Sequence, residues 1–166
     1  ILGGQIWLES EVGKGSVFYV ELPLDTGVTM DHAGKGQGDE EPVDMKGLQI
    51  LVVDDDADSV TLLQEILAGE GVESIPAYSG YEALVYLDSE PMPDLILMDL
   101  QMPILTGEQT FRIIREKYPG AKIIAQSAYA LQGDRDRFLA LGFDEYFSKP
   151  YVVDEIITLI SRVAGK

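Results

Sequence analysis

Cysteine is absent from this chain of 166 residues, and histidine and tryptophan occur once each. The missing thiols exclude disulfides, thiolate metal sites and cysteine nucleophiles. Cations are scarce as well: 12 Lys and Arg against 29 Asp and Glu leave a formal charge of −17. Gripping a phosphate backbone needs clustered cations, so nucleic acid is not an expected partner. Most of the negative charge serves solubility and self-repulsion. No apolar run approaches bilayer-spanning length, so no direct membrane contact by this segment is expected. The chain opens on Ile1 without a basic-then-apolar leader and reads as a piece of something longer. A cytoplasmic location is the expectation, with any membrane anchor of the parent lying upstream.

Hydrophobic residues make up 46% of the chain, enough for a well-buried sheet. Three zones can be read. Residues 1–24 hold two β-rich runs, Gln5 to Glu9 and Ser16 to Leu22, around a glycine turn at Gly13-Lys14-Gly15. Residues 25–46 interleave Gly27, Gly34, Gly36 and Gly38 with acids and read as an acidic, Gly-rich linker. Residues 47–166 alternate strand and helix patterns. Strands are expected at Leu48 to Val53, Val72 to Ala77, Leu95 to Met98, Lys122 to Gln126 and Glu145 to Phe147. Helices follow each: around Leu62 to Leu67, Ala83 to Leu87, Gly107 to Tyr118, Asp134 to Leu141, and from Asp154 to Val163.

That alternation predicts a doubly wound α/β domain with a five-stranded parallel sheet. Such folds work at the carboxyl ends of their strands, near the point where strand order reverses. Four polar motifs sit at such ends: Asp54-Asp55-Asp56, Asp99-Leu100-Gln101-Met102-Pro103, Gln126-Ser127-Ala128 and Lys149-Pro150. Acids, a hydroxyl and an ammonium gathered there can hold a divalent metal and accept a phosphoryl group on a carboxylate.

In order and content, LVVDD, LILMDLQMP, QSA and SKP make residues 47–166 resemble a response-regulator receiver domain. The resemblance implies a flavodoxin-like strand order of 2-1-3-4-5. It also implies a role in two-component signalling or a phosphorelay: a phosphohistidine on the same or a partner kinase, or on a phosphotransfer domain, phosphorylates an aspartate and so switches partner interactions. The N-terminal residues are similar to the last hairpin of a histidine-kinase ATP-binding domain, through Gly3-Gly4, Ile6-Trp7, Glu9-Ser10, Gly13-Lys14-Gly15-Ser16, Phe18 and Leu22-Pro23-Leu24. The parent is therefore expected to be a hybrid sensor histidine kinase. A terminal hairpin cannot enclose a nucleotide, so ATP hydrolysis by these residues is not expected.

Carried over position by position, the resemblance makes Asp99 the phosphoacceptor. Asp55 and Asp99 supply carboxylates to Mg2+ (Mn2+ being the alternative), the Gln101 backbone carbonyl supplies a third ligand, and Asp54 acts through water. Ser127 donates its hydroxyl to one phosphoryl oxygen and Lys149 pairs with another. Pro150 is expected to follow a cis peptide, and Tyr146 to be a switch aromatic that moves with Ser127. Gln101 and Tyr129 fall where the family tunes phosphate lifetime, and Gln126 departs from the apolar residue usual there. The plainer readings are a helix cap for Asp99, turn or surface roles for Ser127 and Lys149, and rim packing for Tyr146. Asp56 and Asp58 are read as a solvated turn or cap. His32 lies in the linker without helical pattern and is not read as a phosphodonor, and Trp7 is read as hairpin packing.

Two rival readings compete. A phosphatase of the haloacid-dehalogenase type would use Asp54 as nucleophile with Asp56, Ser127 and Lys149, but leaves the Asp99 motif unexplained. A pure interaction domain that has lost phosphorylation would not need the full polar set.

Overall fold

In the computed structural model, residues 5–11, 15–21, 45–128 and 134–165 are described. The chain divides into two compact units, Ile1–Asp39 and Glu40–Lys166. In the first, β1 (Gln5–Glu11) pairs antiparallel with β2 (Gly15–Glu21), from Gln5 opposite Glu21 to Glu11 opposite Gly15. Gly15 has φ +109°, a conformation that side chains resist. Trp7 lies directly across from Tyr19, and their rings stack with centroids 5.2 Å apart. Such cross-strand aromatic pairs hold a short ladder together. The expected hairpin is therefore present, and Trp7 packs within it.

The second unit contains β3 (Gln49–Val53), α1 (Ala57–Gly69), β4 (Glu73–Ala77), α2 (Gly80–Ser89), β5 (Leu95–Asp99), α3 (Gly107–Lys117), β6 (Ile123–Ser127), α4 (Asp134–Leu141), β7 (Glu145–Ser148) and α5 (Val153–Ala164). Its sheet is parallel throughout, in the order β4-β3-β5-β6-β7. Counted within the sheet this is 2-1-3-4-5, the flavodoxin-like arrangement expected from the sequence. β4 is an edge strand, where Pro76 costs no ladder bond on its free side.

Alternation along the strands sorts the core into two layers. Ile50, Val52, Leu95 and Leu97 point to the face covered by α1 and α5, meeting Val60, Leu63, Leu67, Ile156 and Ile160. Leu51, Val53, Ile96 and Met98 point to the opposite face, meeting Ala83, Leu87, Phe111, Ile114 and Phe138 from α2, α3 and α4. Burial on both faces explains why these strands are nearly continuous apolar runs. Met45, which composition placed in the linker, is only 5% exposed and packs in the α1/α5 layer. The packed unit therefore begins before residue 47.

Local chemistry sets the helix starts. Asp56 caps α1, its side chain accepting from the Asp58 N–H. Ser79 caps α2, and Thr106 with Gln109 forms a capping box at α3. Gly107 is required where α3 meets the end of β5: a Cβ there would lie 2.1 Å from the Asp99 carbonyl oxygen and 2.7 Å from the Leu100 Cα. Both obstacles are backbone, so the helix or the loop after Asp99 would have to move. Gly107→Ala is expected to destabilise the unit by roughly 1–3 kcal/mol in urea unfolding. A loss below about 0.5 kcal/mol would show that the loop yields freely.

Candidate functional site

At the carboxyl ends of β3 and β5, where strand order reverses, three carboxylates converge. Asp54 and Asp55 follow β3, Asp99 ends β5, and one oxygen from each lies within 4.8 Å of the others. Asp54 is fully buried, Asp99 nearly so, and Asp55 is exposed. The set thus has a floor and an open side. Three hard oxygen donors facing solvent suit a divalent cation that keeps part of its water shell.

Lys149 reaches this cluster from the end of β7. Its Nζ donates to Asp54 Oδ2 at 2.6 Å and lies 3.7 Å from Asp99 Oδ2. Burial alone would depress the ammonium, but the Asp54 hydrogen bond and the Asp99 charge outweigh it and hold Lys149 above its ordinary value. Asp99 is shifted the other way for an acid. Burial pushes its carboxyl above the usual range, and Lys149 offsets this only partly while Asp54 and Asp55 add to it. Asp99 Oδ1 also accepts from the Gln101 backbone N–H at 3.3 Å. One ammonium among three clustered acids leaves a net negative site, a conflict that a bound cation relieves.

Ser127 closes β6, 5% exposed, and its carbonyl accepts from the Lys149 N–H at 2.8 Å, which ties the two strand ends together. Beside it a cavity of about 440 Å³ is lined by Leu100, Gln101, Thr106, Glu108, Ser127, Asp134, Arg137 and Phe138. Tyr146 is half-buried on β7 and stacks on Phe138 of α4 with centroids 5.3 Å apart. Burial raises its phenol, helped by the Asp134 charge and opposed by a hydrogen bond with the Ser127 side chain. The peptide between Lys149 and Pro150 is cis.

The response regulator receiver domain family matches residues 50–161, the span that builds this sheet and this site. The chain belongs to that family. This receiver is 34% identical over 118 residues to the polar-differentiation response regulator DivK of Brucella ovis, a match that covers 70% of this chain and 95% of the relative. It resembles the solved response regulator TrrA of Thermotoga maritima, determined in complex with Mg(2+)-BeF, at 35% identity and a TM-score of 0.64, over 70% of this chain and 98% of that one. It also resembles a CheY-like receiver from Methanospirillum hungatei JF-1, at 28% identity and a TM-score of 0.65, over 71% and 94% of the two chains.

The structure brings together Asp54, Asp55, Asp99, Gln101, Ser127 and Lys149 around one end of the receiver sheet, with Tyr146 one layer away. His32 and Tyr129 lie outside the described residues. Asp56, as expected, is a cap, and its carboxyl is held below the usual range by the Ser59 hydroxyl and the Asp58 N–H. Tyr151 was not singled out in the sequence. Its hydroxyl donates to the buried Gln126 side chain at 3.3 Å, and burial pushes its phenol up to about 12. The signal was available: a polar amide in a buried strand requires a partner, and Tyr151 enters from the end of the neighbouring strand. Among the described residues no helix is long and apolar enough to cross a membrane.

Proposed function

We propose that this receiver accepts a phosphoryl group on Asp99 from a phosphohistidine, with Mg2+ in the acidic cluster, and that the change at Ser127 and Tyr146 alters the affinity of partners. The observation that carries this is the meeting of Asp54, Asp55 and Asp99 under one lysine that spans Asp54 and Asp99. The TrrA relative, determined with Mg(2+)-BeF, supports the same ion for this cluster.

Asp55 and Asp99, with the Gln101 carbonyl, would hold the ion, and Asp54 would support it from the floor. When bound, Mg2+ neutralises the oxygens of the incoming phosphoryl group. The chain's own residues do the rest. An Asp99 oxygen forms the new O–P bond while the P–N bond to the donor imidazole breaks and its electron pair returns to that ring. Lys149, already 3.7 Å from Asp99, pairs with one phosphoryl oxygen, and the Ser127 hydroxyl exchanges Tyr146 for another. Losing Ser127 as partner frees the Tyr146 ring to reorient against α4, a face from which partners can read the state of the site.

The haloacid-dehalogenase alternative needs Asp54 as nucleophile. Asp54 has no exposed surface; Oδ1 accepts from the Asp56 N–H and Oδ2 from Lys149 and Gln126. That enclosure speaks against Asp54 as the nucleophile. The antiparallel pairing of β1 with β2 and the Gly-rich, acidic composition of residues 25–46 support reading 1–24 as the end of a kinase ATP-binding domain followed by a tether, and with it a cytoplasmic hybrid sensor histidine kinase as the parent.

The test is intact mass after incubation with acetyl phosphate, with and without Mg2+, for the wild type, Asp99→Asn and Asp54→Asn. A phosphate-sized, Mg2+-dependent increase that vanishes only in Asp99→Asn is the expected result. An adduct that survives Asp99→Asn and depends on Asp54 would overturn it.

A further inference from the structure

Gln126 is an amide buried to 0% exposure at the floor of the site, where the family resemblance leads one to expect an apolar residue. Its Nε2 donates to Asp54 Oδ2 at 3.1 Å and to the Val53 carbonyl at 3.4 Å. A carboxylate and a carbonyl only accept, so the amide nitrogen must face them and the amide oxygen must face away. That oxygen accepts from the Tyr151 hydroxyl at 3.3 Å. The Tyr151 hydroxyl thus satisfies the amide oxygen, and the amide nitrogen is shared between the Val53 carbonyl and one side-chain atom, Asp54 Oδ2.

That atom is shared. Lys149 donates to the same oxygen at 2.6 Å. If Lys149 turns to a phosphoryl group on Asp99, Asp54, fully buried in this structure, loses the one ion pair it makes among the described residues. The Asp56 N–H holds Oδ1, and Gln126 is then the side-chain donor left on Oδ2. A buried carboxylate stripped of donors would be costly, and one free to rotate would serve a neighbouring ion poorly.

We propose that Gln126, oriented by Tyr151, is a positioning residue that keeps Asp54 in place for the metal and lets Lys149 leave it. This rests on the receiver reading above. Gln126 touches no reacting atom; it acts through Asp54. Partners of this outer kind typically change metal affinity or activity by about 10–100-fold when removed.

The experiment measures the Mg2+ dissociation constant by calorimetry, and urea stability in EDTA, for the wild type, Gln126→Met, Tyr151→Phe and the double variant. Methionine keeps the length of the side chain and deletes the donor. Gln126→Met is expected to weaken Mg2+ about ten-fold, and Tyr151→Phe less. In the double variant the stranded Tyr151 hydroxyl is gone, so stability recovers towards that of Tyr151→Phe while Mg2+ affinity stays at the Gln126→Met value. Affinity that recovers together with stability, or a Gln126→Met dissociation constant within two-fold of the wild type, would reduce Gln126 to core packing and overturn the proposal. A wild type that binds no Mg2+ while Asp99 still takes up phosphate would overturn it too. Loss of both binding and uptake in the wild type would instead fell the receiver reading beneath it.

Discussion

Asp99→Asn is expected to make the metal-free protein more stable at neutral pH and at the same time remove most of its stabilisation by Mg2+. Asp99 is buried between Asp54 and Asp55, and one lysine does not neutralise the three. Asn keeps the shape of the side chain and its capacity to accept from the Gln101 N–H, while deleting a charge that the fold disfavours. The pH dependence follows. The folded value of Asp99 lies above that of an unfolded aspartate, so its favourable contribution is complete at acid pH and is lost as pH rises through the folded value. Wild type in EDTA should therefore lose stability relative to Asp99→Asn from about pH 4 upward. Comparing the two variants cancels the opposite behaviour of Asp56 and Asp88, whose carboxyls lie below the usual range. Mg2+ at a hundred times its dissociation constant should stabilise the wild type by about 2.7 kcal/mol and Asp99→Asn far less. Thermal unfolding across pH 4–8, with and without Mg2+, reads all of this. Parallel curves for the two variants in EDTA would contradict the electrostatic account.

Lys149→Met should have the largest effect on stability. Asp54 is fully buried, and among the described residues its one ion-pair partner is Lys149, whose side chain is 19% exposed. Breaking such a pair from the cationic side strands a charge in the interior, at a cost of roughly 3 kcal/mol, the low end of the range for buried pairs. The remaining donors, Gln126 Nε2 and the Asp56 N–H, are neutral. Removing the charge from the other side is milder, because a lysine freed in Asp54→Asn still reaches Asp99 and water. Urea unfolding in EDTA should therefore rank wild type, Asp54→Asn and Lys149→Met in falling order. Asp54→Asn/Lys149→Met should recover much of the loss. Additive losses in the double variant would mean that the pair is not coupled.

The residues behind both predictions are legible in the sequence. The strand ends were marked by abrupt change: the apolar runs to Val53 and Met98 stop at acids, and no soluble fold places such runs elsewhere than in a core. Element types and order followed; strand boundaries differed by at most two residues, as at Gln49 for Leu48, whereas α1 begins at Ala57, ahead of the apolar positions from Leu62 that marked it. Caps behaved as their chemistry predicts at Asp56 and Ser79. Met45 was misjudged because its neighbours are Gly and acids, and composition is averaged over a window, whereas burial belongs to one side chain.

Charge pairing was beyond the sequence. Lys149 and Asp54 are 95 positions apart, and nothing local says that the lysine rests on Asp54 rather than on Asp99. The Gln126–Tyr151 bond joins two residues whose sequence signals, a misplaced amide and a tyrosine after Lys-Pro, carry no sign of each other. Likewise the stacking of Tyr146 on Phe138 depends on how α4 lies across β7.

By itself, then, the sequence determined the doubly wound architecture, the strand ends that carry the acids, and the residue types available to a phosphoryl acceptor, because periodicity and strand termination are local properties of a chain. Tertiary structure alone decided which oxygen each donor holds, which acid is buried and which is open, and which tyrosine meets which amide. Those depend on how closely the ends of strands remote in sequence are brought together, and burial is what makes such contacts strong.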